Sequence, residues 1–275
     1  MTAVVLAGGK GTRLAPYTRV LPKPLMPIGD VPILEVLIRQ FRAAGVTDVI
    51  LTVGHMAGLI RTYFGDGSDF GVNITYSYED QPLGTAGPLA AIREDIQDEH
   101  VLVTNGDVLT DFDFSSLFTD HASSGAAASI ASYQKKVKID LGVLESQGDD
   151  RLTGYIEKPS YDFLVSMGIY MFRREVLDRI PEDTYLDFPD LIIQLLESDD
   201  YVRLHKFHGY WQDLGRREDY EAANADTERL ESILNPRPAS ERRTRDRRSA
   251  DRAKDRAPIA RRARRSTQPK KRTKA

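Results

Sequence analysis

The sequence of 275 residues lacks cysteine altogether and has a single tryptophan. The absence of cysteine excludes disulfide bonds, cysteine nucleophiles and cysteine-ligated zinc or iron–sulfur sites. No apolar run approaches the roughly 18 residues that a transmembrane helix needs, so no membrane span is predicted. Residues 1–6 have no basic segment ahead of the apolar one, which favours a first strand over a signal peptide. Together these absences predict a cytoplasmic protein.

Charge is distributed very unevenly along the chain. Residues 236–275 contain 17 Lys+Arg and 4 Asp+Glu, a net charge of +13, and Ile259 is their only large apolar residue. Residues 1–235 contain 21 Lys+Arg and 37 Asp+Glu, a net charge of −16. A segment with so little apolar surface cannot offset the entropy of ordering itself. We therefore expect a folded domain over 1–235 and a basic, disordered tail over 236–275 that contacts anionic surfaces nonspecifically.

Strand-like and helix-like segments alternate within residues 1–235. Short apolar or alternating runs predict strands at 3–7, 49–53, 73–78, 100–104, 127–133, 141–144, 152–157 and 165–172. Helical spacing predicts helices at 33–41, 88–96, 189–196 and 217–233. This order predicts an α/β fold with a Rossmann-like, mostly parallel mixed sheet covered by helices. Such sheets bind ligands at the carboxyl ends of their strands.

A glycine-rich segment, Gly8-Gly9-Lys10-Gly11-Thr12-Arg13-Leu14, follows the first predicted strand. No window in it satisfies the Walker A pattern G-x-x-x-x-G-K-[ST]. The dinucleotide fingerprint G-x-G-x-x-G fails as well, because Leu14 stands where the last glycine belongs. Glycines interleaved with Lys10 and Arg13 suit the polyphosphate of a nucleoside triphosphate. Prolines hold the following Pro22-Lys23-Pro24 segment extended and limit where Lys23 can point.

The glycine-rich segment followed by Pro22-Lys23-Pro24 resembles the signature of the sugar-1-phosphate nucleotidylyltransferases, also called nucleotide-diphospho-sugar pyrophosphorylases. Gln81-Pro82-Leu83-Gly84-Thr85-Ala86-Gly87 is similar to the base-recognition segment of that family, and most similar to its mannose-1-phosphate guanylyltransferase branch. Asn105-Gly106-Asp107 matches the motif with the metal-binding aspartate. Glu157-Lys158-Pro159 resembles the element that holds the sugar phosphate. Trp211-Gln212-Asp213-Leu214-Gly215 resembles the element that supplies a second metal-binding aspartate.

The resemblance implies a transfer of a nucleotidyl group from an NTP to a sugar-1-phosphate, giving an NDP-sugar and pyrophosphate. It implies that Arg13 and Lys23 are catalytic and that Mg²⁺ is held by Asp107 and Asp213. The implied sugar-phosphate contacts are Gly142, Glu157 and Lys158. Gly8, Gly84 and Thr85 would contact the base or ribose through backbone groups, and Gln81 or Glu79 would add a side chain. The implied nucleotide contacts are Leu6, Gly8, Gly9, Gly11, Thr12, Gln81, Gly84 and Thr85.

Several alternatives remain open at this point. Asp107 would also serve as the N-cap of a following helix, a role for which Asp111 and Asp113 compete. GTP with mannose-1-phosphate is the expected substrate pair, and thymidylyl, uridylyl or cytidylyl transfer to glucose-1-phosphate is the alternative. A catalytically silent regulatory subunit would be expected to lose Arg13, Lys23 or a metal aspartate, all of which are present. A nucleic-acid-associated protein is suggested by the tail alone, which has no aromatic residue for base stacking. The resemblance is also compatible with a homo-oligomer.

Overall fold

Strands and helices alternate along the chain in the computed structural model, which describes residues 1–79, 81–148 and 150–234. The tail predicted at 236–275 lies outside the described residues. The thirteen strands of the described residues are β1 (Thr2–Ala7), β2 (Pro27–Ile28), β3 (Val31–Pro32), β4 (Asp48–Val53), β5 (Asn73–Tyr78), β6 (His100–Asn105), β7 (Val108–Thr110), β8 (Ala128–Lys138), β9 (Val143–Ser146), β10 (Leu152–Ile156), β11 (Ser160–Arg173), β12 (Val202–Phe207) and β13 (Trp211–Asp213).

The α-helices cover the sheet and supply much of its core. Within the same described residues they are α1 (Ile33–Ala43), α2 (Ala57–Phe64), α3 (Pro88–Ile92), α4 (Phe114–Ser124), α5 (Phe188–Glu197), α6 (Arg217–Ala225) and α7 (Thr227–Leu234). No helix in this part of the chain has the length and apolar character needed to cross a membrane.

Seven strands form the central sheet in the order β12-β8-β11-β6-β1-β4-β5. β1 lies parallel to both β4 and β6, β4 is parallel to β5, and β12 is parallel to β8. β11 runs antiparallel to its neighbours β6 and β8. The predicted mostly parallel mixed sheet is thus confirmed. Because β1, β4, β5 and β6 all run in one direction, their carboxyl ends meet at one edge of the sheet.

The core lies on both faces of the sheet because side chains alternate along each strand. On one face, Val5 packs with apolar side chains of α1, α2 and α4. On the other face, Val4 packs with apolar side chains of α3 and α5. A third cluster joins Leu14, the last residue of the glycine-rich segment, and Met26 to Leu214 and to the buried residues of α6 and α7. This cluster fixes the glycine-rich segment relative to the carboxyl edge of the sheet.

Some elements differ from those expected from the sequence. The single helix predicted over 217–233 is wrong, because Asp226 interrupts it and accepts a hydrogen bond from the Arg229 N–H at 3.1 Å, which starts α7. The helix predicted over 88–96 ends as α3 at Ile92, and a short 3₁₀ turn covers Arg93–Asp95. Helices α2 and α4 were not predicted. Few of their residues are buried, so their apolar periodicity is weak.

Candidate active site

A cavity of about 820 Å³ opens at the carboxyl ends of β1, β4, β5 and β6. This volume falls within the range of small-molecule binding sites. Of the residues assigned from the resemblance, the cavity is lined by Leu6, Gly8, Gly9, Gly11, Arg13, Lys23, Gln81, Gly84, Thr85 and Asp107. Lys10, Glu79, Tyr185 and Asp187 also line it. Thr12 stands between Gly11 and Arg13 in the chain but is not itself one of the lining residues.

The backbone requires glycine at position 11 of the glycine-rich segment, whereas Gly8 lies against the end of the Glu79 side chain. A methyl group on Gly8 would lie 2.5 Å from the Glu79 Oε1 atom. Gly11 has a φ of +62°, and a methyl group there would lie 2.9 Å from the Thr18 Cγ2 atom. The Gly11 carbonyl also accepts a hydrogen bond from the Thr18 hydroxyl at 2.9 Å. Glycine is therefore needed at position 11 for its backbone conformation, and the Glu79 side chain limits the space beside Gly8.

Lys23 is directed into the site by a short 3₁₀ turn over Lys23–Leu25, with Pro22 before it and Pro24 within it. The residue is buried, with 9% of its surface exposed. Its ammonium group forms an ion pair with Asp107, which Gly106 separates from the last residue of β6, Asn105. A buried ammonium requires such a partner, because an unpaired buried charge is strongly unfavourable.

Asp213 lies beside Asp107 because β13 pairs with β7. Asp213 is opposite Val108 in this ladder, and the Leu214 N–H donates to the Asp107 carbonyl at 3.1 Å. Burial raises the pKa of Asp213, and the nearby Asp107 carboxylate raises it further, whereas Lys23, the Gly215 N–H and Arg13 oppose the rise. The two aspartates predicted as metal ligands are therefore brought together, next to both predicted catalytic cations.

This carboxylate pair has the chemistry of a partial magnesium site. Two adjacent carboxylates repel each other, and a divalent cation between them would relieve that repulsion. The described residues contain no cluster of three or more His, Asp or Glu side chains suited to a metal. Magnesium commonly takes one or two carboxylates and completes its shell with substrate phosphates and water. Asp107 and Asp213 match that pattern.

The structure shows which aspartate caps the helix that follows Asp107, α4. The Asp113 side chain occupies the N-cap position of this helix and accepts the Ser115 N–H at 3.0 Å. Asp111 instead accepts the Tyr210 N–H at 2.7 Å. Asp107 is thus free of the capping role. Trp211, in the adjoining motif, packs against the core, and its indole N–H donates to the Met167 carbonyl at 3.0 Å.

The residues assigned to the sugar phosphate flank the hairpin of β9 and β10: Gly142 precedes β9, and Glu157 and Lys158 follow β10. The Tyr155 hydroxyl donates to Glu157 Oε2 at 3.2 Å, and Lys158 Nζ lies 3.8 Å from Glu157 Oε1. A methyl group on Gly142 would lie 2.5 Å from the Tyr155 Cζ atom, so a side chain at this position would require the exposed Tyr155 ring to move. Lys158 is exposed and has a φ of +45°. None of the three assigned residues is among those that line the cavity.

Tyr185 and Asp187 were not anticipated from the sequence, although both line the cavity. They precede α5 and belong to no motif of the resemblance. The Asp187 carboxylate accepts hydrogen bonds from Thr85 at 2.9 and 3.1 Å, across 102 residues of sequence. A contact of this range leaves no local sequence signal. The sequence shows only that Asp187 stands just before a predicted helix.

Comparison with known proteins agrees with the family resemblance found in the sequence. The family model described as nucleotidyl transferase matches residues 2–229. A mannose-1-phosphate guanylyltransferase of Mycobacterium tuberculosis is 34% identical over 82% of this chain and 64% of its own length. A UTP–glucose-1-phosphate uridylyltransferase of Synechocystis is 34% identical over 80% of this chain and 61% of its own length. The chain thus spans less than two thirds of either relative.

A solved structure supports the same fold. The protein, assigned as a glucose-1-phosphate thymidylyltransferase of Bacillus anthracis and crystallised with sucrose, aligns with a TM-score of 0.68 and 25% identity. The alignment covers 82% of this chain and 94% of that one. The glycine-rich segment, the paired aspartates and the cavity at the carboxyl edge all lie inside the region that the family model matches. The chain therefore belongs to the nucleotidyl transferase family.

Proposed function

We propose that this protein transfers a nucleotidyl group from an NTP to a sugar-1-phosphate, with GTP and mannose-1-phosphate as the preferred pair. The observation that carries the proposal is the cluster of Lys23, Asp107 and Asp213 beside Arg13, in which Arg13, Lys23 and Asp107 line the cavity and Asp213 lies behind them as a neighbour of Asp107. The site thus combines cations for phosphate groups with two carboxylates for a divalent metal. No hydroxyl nucleophile or adjacent base is needed for this chemistry.

The reaction forms one phosphorus–oxygen bond and breaks another. An oxygen of the sugar phosphate attacks the α-phosphorus of the NTP, and the bond from the α-phosphorus to the bridging oxygen breaks to release pyrophosphate. The attacking oxygen is already an anion at neutral pH, so no general base is required. The enzyme must instead bring two anions together and neutralise charge in the transition state.

Each charged residue has a distinct part in that task. Arg13, which is exposed at the glycine-rich segment, would neutralise the leaving pyrophosphate, with Lys10 beside it. Lys23 would contact phosphate oxygens at the reacting centre. Asp107 and Asp213 would hold Mg²⁺, which supplies further positive charge to the phosphates when bound. Glu157 would accept hydrogen bonds from sugar hydroxyls, and Lys158 would bind the sugar phosphate as a point charge.

Lys158→Ala is expected to raise the KM for the sugar phosphate about tenfold and to change the KM for the NTP much less, since one charge-assisted contact is lost in one half-site. Arg13→Ala should have the opposite selectivity. Lys158→Gly removes the same amino group but suits the positive φ, so it should show the kinetic defect without a lower melting temperature. The control is Lys138→Ala, an exposed lysine paired with Asp140 at 2.8 Å. Equal KM changes for both substrates would contradict the division into half-sites.

Two observations support GTP as the preferred nucleotide: a guanylyltransferase among the relatives, and the Glu79 side chain in the cavity. The Mycobacterium tuberculosis relative is a guanylyltransferase, whereas the Synechocystis relative is a uridylyltransferase. Glu79 lines the cavity, and burial raises the pKa of its carboxyl group, opposed by the Leu83 N–H. The Watson–Crick edge of guanine presents two neighbouring N–H donors, which a carboxylate can accept as a pair. Uracil and thymine present one N–H between two carbonyls, which a carboxylate repels.

Glu79→Gln is expected to lower the ratio of GTP to UTP turnover by about tenfold or more, because the amide offers one donor and one acceptor where the carboxylate offers two acceptors. Pyrophosphate release is followed for five NTPs against several sugar-1-phosphates, for both wild type and variant. Glu94→Gln, at an exposed glutamate, serves as the control. An unchanged ratio would exclude Glu79 as the base-reading residue. A wild-type preference for dTTP, UTP or CTP would move the protein to another branch of the same reaction class.

A catalytically silent nucleotide-sugar-binding subunit is the alternative function. It would bind nucleotide in the same assay conditions without releasing pyrophosphate from any pair. The presence of Arg13, Lys23, Asp107 and Asp213 in one place favours the active enzyme. The boundary at residue 235, a homo-oligomer, the cytoplasmic location and the nonspecific contact of the tail with anionic surfaces stay predictions from the sequence.

A further inference from the structure

The N-cap side chain of α5 does not bind its own helix. Asp187 occupies the N-cap position, with φ −98° and ψ 156°, yet makes no capping hydrogen bond. An aspartate there ordinarily accepts an N–H from the second or third residue of its helix, and losing such a cap costs about 1 kcal/mol. The second residue of α5 is Pro189, which has no N–H. The Asp187 carboxylate is thus available for another partner.

That partner is Thr85, on the segment that resembles the base-recognition element. Asp187 Oδ1 accepts the Thr85 N–H at 2.9 Å and the Thr85 hydroxyl at 3.1 Å. The same hydroxyl oxygen accepts the Phe188 N–H at 2.8 Å, so Thr85 provides the cap that Asp187 does not. These hydrogen bonds give the first N–H of α5 an acceptor and link the helix to residues 83–87.

The two segments are also joined through their backbones. The Leu186 carbonyl accepts the Ala86 N–H at 2.8 Å, and the Leu186 N–H donates to the Leu83 carbonyl at 3.0 Å. Gly84 has a φ of +80°, and a methyl group on it would lie 2.5 Å from the Leu186 oxygen. A side chain at position 84 would therefore push the two segments apart. Residues 83–87 are thus held against residues 185–188 by backbone and side-chain hydrogen bonds.

Tyr185 is bound to the second oxygen of the same carboxylate. Its hydroxyl donates to Asp187 Oδ2 at 2.7 Å, and its side chain lines the cavity with 62% of the residue exposed. An exposed aromatic ring at the cavity wall provides an apolar face for a nucleobase. The Tyr185 hydroxyl, together with the Thr85 donors, lowers the pKa of the Asp187 carboxyl, and partial burial opposes that effect.

We propose that Asp187 is a positioning residue of the nucleotide half-site. It fixes Thr85 and Gly84 of the base-recognition segment and holds the Tyr185 ring where the nucleotide enters. We call Thr85, Tyr185 and Asp187 the latch. This inference rests on the proposed function, because it takes the cavity as the NTP site. It predicts that the latch affects nucleotide binding and leaves the sugar-phosphate half-site unaffected.

The test compares Asp187→Asn and Tyr185→Phe with Asp190→Asn, which removes an exposed carboxylate from the first turn of the same helix. Calorimetric titration with GTP and with UTP gives nucleotide affinity, steady-state assays give both KM values, and thermal unfolding gives stability. Asp187→Asn should weaken nucleotide affinity about tenfold, because one amide oxygen replaces a carboxylate that accepts three hydrogen bonds. Tyr185→Phe should weaken it less, and Asp190→Asn should match wild type.

Two further signatures separate positioning from general stabilisation. The KM for the NTP should rise in proportion to the loss of affinity, while the KM for the sugar phosphate changes less than about twofold. A lower melting temperature with unchanged nucleotide affinity, or equal changes in both KM values, would overturn the latch. If the wild type binds GTP but releases no pyrophosphate, and Asp187→Asn still weakens that binding, the proposed function fails and the latch stands.

Discussion

Asp107→Asn should abolish most of the pyrophosphate-forming activity, with a loss of roughly 10²-fold or more, while the fold is kept. The substitution removes the negative charge that Asp107 offers to Mg²⁺ beside Asp213. The amide oxygen still accepts a hydrogen bond from the buried Lys23, so the ammonium keeps a partner. Steady-state turnover at saturating substrates and thermal unfolding measure the two effects separately.

Asp113→Asn is the matched control for that variant. Asp113 is close in sequence but caps α4, and asparagine is an equally good N-cap. Activity and melting temperature of this control should both stay close to wild type. Near-normal turnover of Asp107→Asn, or an equal defect in the two variants, would contradict the metal role of Asp107.

Lys23→Met should also lower turnover by roughly 10²-fold or more, because it removes a buried cation at the reacting phosphates. It has a second expected effect that does not depend on catalysis. The Lys23 ammonium forms an ion pair with Asp107 and so competes with a divalent cation for the same carboxylate. Without it, the affinity of the nucleotide-free protein for Mn²⁺ should rise about tenfold or more, the equivalent of one charge-assisted hydrogen bond.

Titration of Mn²⁺ followed by electron paramagnetic resonance measures that affinity directly. Lys10→Met serves as the control, since Lys10 lines the same cavity and is exposed instead of being buried against a carboxylate. The loss of one positive charge from the cavity is common to both variants. If both raise the Mn²⁺ affinity equally, the effect is a general change of charge, and the specific contact of Lys23 with Asp107 does not control metal entry.

The parts of the site that the sequence revealed are carried by short contiguous motifs. The sequence indicates the role of the glycine-rich segment and of Pro22-Lys23-Pro24 because glycine widens the range of backbone conformations and proline narrows it. The structure then shows why: Gly8 faces Glu79, and the turn at Lys23 directs its side chain to Asp107. The mostly parallel sheet was also predictable from short contiguous segments, because strands buried on both faces form continuous apolar runs.

The parts that the sequence did not reveal depend on distant pairings. Tyr185 and Asp187 reach the cavity only because residues 185–188 pair with residues 83–87. The break between α6 and α7 depends on one side chain, Asp226, that accepts a backbone N–H. The part of β11 before residue 165 was missed because its side chains are largely exposed and add no burial pattern. Local periodicity contains no information about any of these contacts.

The most direct test of the proposed reaction is to follow the phosphorus atoms of GTP by ³¹P nuclear magnetic resonance. The purified 275-residue chain is incubated with GTP, mannose-1-phosphate and Mg²⁺. Transfer at the α-phosphorus predicts equal amounts of pyrophosphate and of a sugar-linked diphosphate, and only when both substrates are present. Formation of GDP and inorganic phosphate, or pyrophosphate release that does not require any sugar-1-phosphate, would contradict the account.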